Sequence, residues 1–252
     1  MKRKEFNKTI LLVLMIVFIS GVAYIFCYMV INRKVEKDIK EILGNIVINQ
    51  SEISETKSER MLQLEELQKT VNDEIVGWLE IEGTEINYPV LQCEDNDFYL
   101  KHNYKKEKEK TGSLFLDKDF DFENKSSNYL IYGHRSTKGT MFEDLMKYAK
   151  KDFYEAHKKI KFTTAYEDAE YEILSVFYSR VYYQNETNVF RYYYFVNAEN
   201  EEEYNEFIEN AKKASIYDTG ITAEYGEQLL TLSTCEYSQK NGRFAVVAKK
   251  IS

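Results

Sequence analysis

The chain has 252 residues, with 42 acidic against 34 basic side chains, a formal charge of −8, 10 glycines and a single proline, Pro89. The negative surplus excludes the basic face that nucleic-acid binding requires, and the scarcity of Gly and Pro excludes collagen-like or low-complexity order. The length suits one sizeable domain with appendages.

The first element in chain order is apolar. Residues 10–31 hold no charged side chain. At about 1.5 Å per residue such a helix reaches about 33 Å, enough for the hydrocarbon core of a bilayer. No small-residue cleavage site follows at Tyr28-Met29-Val30-Ile31-Asn32, so the segment reads as an uncleaved transmembrane signal anchor. Lys2, Arg3, Lys4 and Lys8 precede it against Glu5 alone. That bias predicts residues 1–9 in the cytoplasm and the rest of the chain outside the cell membrane. Residues 32–71 read as a helical stalk. Val35, Ile39, Ile42, Leu43 and Ile46 keep helical spacing, and Met61, Leu64, Leu67 and Val71 repeat it, with Ser51 as the expected cap of the second helix.

From residue 72 the texture is β-prone. Strands are predicted over 76–81, 86–91, 113–116, 129–132, 159–164, 169–183, 191–196, 228–233 and 244–251. Two helices interrupt them. One is expected over 141–150, and the other follows Asn200 with Tyr204, Phe207, Ile208 and Ala211 on one stripe. Many strands without βαβ alternation predict a mostly antiparallel barrel over 72–252. The acidic run from Asp117 to Glu123 has Phe122 where a calcium loop needs Gly and Asn128 where it needs Glu, so it reads as a solvated loop. His102, His134 and His157 lie in separate segments with no HExxH or CxxC motif. No metal and no cofactor are expected.

Of three cysteines, Cys27 falls in the anchor, leaving Cys93 and Cys235. An exported pair could form a disulfide, but a domain of this length builds a core without a staple. Cys235 therefore reads as a free nucleophile at the end of a strand. His134 ends the apolar strand before it, where Gly133 is expected to let the backbone turn. Arg243 opens the strand after Cys235, so an antiparallel hairpin brings it back to the same rim. The chemistry divides naturally: Cys235 attacks, His134 moves the proton, and Arg243 holds developing negative charge.

"TLSTC" followed by Arg, "YGHR" upstream of it and an N-terminal signal anchor resemble a sortase, a cysteine transpeptidase of Gram-positive cell surfaces. "YPVLQCEDNDFYL", "GSLFLD" and the helix near 200–214 resemble class B most. Papain-like enzymes place Cys before His, the reverse of the order here. The resemblance implies an eight-stranded sortase-type β-barrel with N-terminal helices and an inserted helix. It implies cleavage of a sorting signal after Thr through a Cys235 thioester, then transfer to a peptidoglycan amine. Signals of the Asn-Pro-x-Thr or Ser/Pro-Pro-x-Thr type on surface proteins are the implied partners. Asn96, Leu100, Tyr132, Ser233, Thr234 and Glu236 match the family's substrate groove, Glu236 in a positioning role. Two other readings use the same sequence: a membrane-anchored cysteine protease or hydrolase with water as acceptor, and a non-enzymatic surface module binding through its tyrosines.

Overall fold

The computed structural model describes residues 58–136, 139–235 and 237–252. The anchor over 10–31, the first stalk helix, Ser51 and Glu236 lie outside the described residues. Helix α1 (Glu59–Thr70) is capped by Ser58, whose hydroxyl accepts the Met61 amide at 3.3 Å. Ser58, not Ser51, thus starts the helix that carries the Met61, Leu64 and Leu67 stripe. Those three side chains are buried, and the helix packs on β1 and β5, defined next.

Eight strands follow: β1 (Ile75–Glu80), β2 (Asn87–Leu91), β3 (Leu114–Leu116), β4 (Asn128–Gly133), β5 (Lys159–Thr164), β6 (Asp168–Arg180), β7 (Leu229–Cys235) and β8 (Gly242–Lys250). They close a barrel in the order β1-β2-β3-β4-β7-β8-β6-β5. Pairs β2–β3 and β4–β7 are parallel, and the remaining pairings are antiparallel. Strand β7 is buried on both faces up to Thr234, which explains why "LLTLST" reads as a continuous run rather than an alternation. Helix α2 (Lys151–Ala156) precedes β5. Helix α3 (Glu201–Ala214) starts at Asn200, whose side chain accepts the Glu203 amide at 3.0 Å, and buries Tyr204, Phe207, Ile208 and Ala211.

Two predicted elements differ. Residues 191–196 form no strand; Tyr192–Tyr194 is a 3-10 turn. A closed barrel leaves no edge for another strand, since β6 is already paired with β5 and β8. Three residues per turn instead send the three tyrosines in three directions. Tyr192 goes into the core and Tyr194 into solvent, 72 % exposed. Residues 141–150 are likewise not one α-helix. A 3-10 helix (Asp144–Ala149) ends at extended Lys150, and α2 begins afresh. The buried residues Phe142, Leu145 and Tyr148 recur every third position, the 3-10 period.

Gly133 serves packing rather than a turn. A Cβ there would lie 2.4 Å from a Leu114 methyl and 2.6 Å from the Phe142 ring. Gly133→Ala is expected to destabilise the protein by about 1–3 kcal/mol through overpacking, read as a lower denaturation midpoint with an unchanged denaturant slope.

Candidate active site

The site is assembled from backbone registers. In the parallel β4–β7 ladder Gly133 is level with Thr234, so continuing one residue sets His134 level with Cys235. Neighbouring strands lie about 4.8 Å apart, close enough for a thiol and an imidazole at one rim to meet. In the antiparallel β7–β8 ladder Cys235 is directly opposite Arg243. The three residues therefore come from the ends of three adjacent strands. Side chains lock this arrangement. The Thr234 hydroxyl donates to the Gly133 carbonyl at 2.8 Å, and at the far end of the ladder the Thr231 hydroxyl donates to Asn128 Oδ1 at 2.9 Å.

His134 Nε2 is 2.7 Å from the Leu100 carbonyl. A carbonyl can only accept, so Nε2 carries the proton and Nδ1 is the basic position of the neutral ring. Leu100 ends the 3-10 turn Phe98–Leu100. The His134 backbone is fixed too, its carbonyl accepting the Phe142 amide at 3.0 Å. Arg243 donates to the Gly242 carbonyl at 2.9 Å. Beyond Cys235, the Tyr237 hydroxyl donates to the Arg135 carbonyl at 3.1 Å and the Arg135 guanidinium sits 5.4 Å from the Tyr237 ring centroid. That contact straps the segment after Cys235 to the segment after His134.

Cys235, His134 and Arg243 line one cavity of about 270 Å³ together with Asn96, Leu100, Tyr132, Ser233 and Thr234. Glu236 lies outside the described residues. Ser233 and Thr234 are each only 2 % exposed. The Thr234 hydroxyl donates to Gly133 and the Ser233 hydroxyl pairs with that of Tyr192 at 2.8 Å, so both are tied into the wall. Gly133 lines it too, and Asp97, Phe115, Val181 and Tyr193, which sequence reasoning misses, complete the lining. Tyr192 lies fully buried beneath, its phenol pushed up by burial, with the Arg243 charge opposing that shift. Cys93 is a free thiol away from this cavity, donating to the Asp95 carbonyl at 3.3 Å, and Cys235 is likewise unbridged. His102 and His157 stack on Phe98 and Phe153 and do not join the cavity lining.

The sortase-domain family model matches residues 79–251. Sortase B of Listeria monocytogenes is 37 % identical over 194 residues, covering 75 % of this chain and 74 % of that protein. A Staphylococcus aureus sortase B–substrate complex superposes with a TM-score of 0.67 at 34 % identity, over 76 % of this chain and 86 % of that one. A sortase B complexed with triglycine has the same TM-score, identity and coverage. The chain belongs to the sortase family of cysteine transpeptidases, and within it to class B.

Proposed function

We propose that Cys235, His134 and Arg243 cleave a surface protein's C-terminal sorting signal after Thr and transfer the protein to a peptidoglycan amine. The observation that carries this reading is the cross-strand pair Cys235–Arg243 lining one cavity with His134, which follows directly on the Gly133–Thr234 register pair. The relatives solved with substrate and with triglycine, a peptide with a free amine, support a peptide donor and an amine acceptor for this chain as well. An Asn-Pro-x-Thr or Ser/Pro-Pro-x-Thr signal is the donor the class B motifs suggest.

In this mechanism Nδ1 of His134 takes the Cys235 thiol proton as the sulfur attacks the Thr carbonyl carbon, and the carbonyl π electrons move onto oxygen. Arg243 donates hydrogen bonds to that oxyanion, where fixed donors stabilise charge that develops only in the transition state. As the C–N bond breaks, His134 delivers a proton from Nδ1 to the leaving amine, because its Nε2 proton is held by Leu100. The acceptor amine then attacks the thioester carbonyl and gives up a proton to Nδ1. As the amide forms the C–S bond breaks, and Nδ1 returns its proton to the Cys235 sulfur, restoring the thiol. The uncharged run at 10–31 with its basic flank supports a single-pass anchor, N-terminus inside and barrel outside. Protease added to intact protoplasts should remove the barrel domain; full protection overturns that topology.

Cys235→Ala should abolish cleavage of sorting-signal peptides, and His134→Ala should lower kcat by about 10²–10⁴-fold. Arg243→Lys keeps charge but loses the planar fork, and should cost about 10²–10³-fold, the loss typical of one oxyanion donor. Near-wild-type turnover by the lysine variant would leave Arg243 a charge-bias residue. The acceptor is tested by adding triglycine to the peptide reaction. Ligated product should rise at the expense of hydrolysed product, whereas hydrolysis alone at saturating amine assigns water as the acceptor.

A further inference from the structure

Asp117 follows β3 in a run whose other acids, Asp119, Asp121 and Glu123, are exposed, yet Asp117 itself is 4 % exposed. Its carboxylate turns toward the cavity wall. Oδ2 accepts the Tyr132 hydroxyl at 2.9 Å and the Asn96 amide nitrogen at 3.0 Å, while Oδ1 accepts the Asp119 backbone amide at 3.0 Å. Asn96 is held at its other end as well, its Oδ1 accepting the Lys118 backbone amide at 2.9 Å. Backbone N–H can only donate and a carboxylate can only accept, so the Asn96 amide has one possible orientation. Burial, with the Asp117 charge beside it, pushes the Tyr132 phenol up, so it remains a neutral donor.

The consequence lies in what is left over. Tyr132 and Asn96 both line the cavity. With its proton committed to Asp117, the Tyr132 oxygen faces a ligand as an acceptor. With its carbonyl and one N–H committed, Asn96 has one remaining N–H to donate. We infer that Asp117 is a positioning residue that sets the hydrogen-bond polarity of this wall, an acceptor at Tyr132 beside a donor at Asn96, to match an amide group of the bound peptide. The peptide N–H pairs with Tyr132 and the amide carbonyl with Asn96. Asp117 touches neither substrate nor reacting atoms; it acts through its two partners. This rests on the peptide-cleavage reading above.

Asp117→Asn is the discriminating variant. The new amide can donate to the Tyr132 oxygen, freeing the phenol proton to turn toward the cavity and reversing the wall's polarity at nearly constant volume. KM for a cleaved peptide should rise about tenfold or more, the cost of one lost hydrogen bond or an opposed donor pair, with kcat changed much less. The double variant Asp117→Asn/Tyr132→Phe should be no worse than the poorer single variant, because both act at one contact. Additive losses, a fall in kcat at unchanged KM, or wild-type kinetics would each overturn the inference. A ligand-free measurement separates it from the proposed reaction. The Tyr132 hydroxyl proton, held by the carboxylate, should give a slowly exchanging proton NMR signal that Asp117→Asn loses, whether or not any peptide is cleaved. Persistence of that signal in the variant counts against the inference. If Asp117→Asn does not fold, an ester-for-amide scan of the peptide serves instead. One backbone position should show a KM penalty with the wild-type protein that disappears with Tyr132→Phe, and the absence of such a position refutes the assignment.

Discussion

The backbone ladder between β4 and β7 sets the level of every reactive group in the cavity. It fixes His134 against Cys235 by counting from Gly133 and Thr234, and the next ladder fixes Cys235 against Arg243. A slip of one residue would turn every side chain of a strand to the opposite face. The polar pins at both ends, Thr231 on Asn128 and Thr234 on Gly133, oppose that slip in a region otherwise made of interchangeable aliphatic contacts. Gly133 belongs to the same constraint, since Phe142 and Leu114 press against the backbone at the point where the histidine is delivered.

The scaffold around the ladder is a set of hydrogen bonds aimed at groups that chemistry needs in one state. The Leu100 carbonyl selects a tautomer at His134, Asp117 orients Tyr132 and Asn96, and Tyr192 holds Ser233 from beneath. None of these partners carries the reaction in the mechanism above. Their contribution is that little reorientation remains when a peptide enters, and orientation fixed beforehand lowers a barrier more than attraction that binds ground and transition state alike.

The barrel and the three strand-end residues are legible in the sequence because each rests on local pattern. β-prone runs broken by polar turns mark strands, and a Cys or His at the end of such a run must sit at a barrel rim. The 3-10 turn at Tyr192–Tyr194 is not legible, because aromatic residues in a row satisfy a strand pattern and only barrel closure removes the edge they would need. The region after Met141 misleads for a subtler reason: spacing of three and spacing of 3.6 coincide over a single turn, and Phe142, Leu145 and Tyr148 separate them only when all three are buried. Asp117 hides in an acidic run whose other members are solvated, since inward and outward carboxylates look the same in one dimension. Ser51 and Ser58 both precede helix-compatible residues, and only the amide accepted from Met61 marks Ser58 as the cap.

The parallel pairing also governs when in the life of the chain a reactive thiol can exist. Gly133 and Thr234 are 101 residues apart in sequence, and β7 needs β8 on its other side to complete its hydrogen bonds. Contacts at such separation form late, after the entropy of closing a long loop has been met. During synthesis β4 must wait for almost the whole polypeptide before its partner emerges. A nascent chain thus carries the histidine long before the cysteine, and an unfolded chain lacks the ladder that sets the two in register. In the proposed mechanism acyl transfer therefore requires the closed barrel.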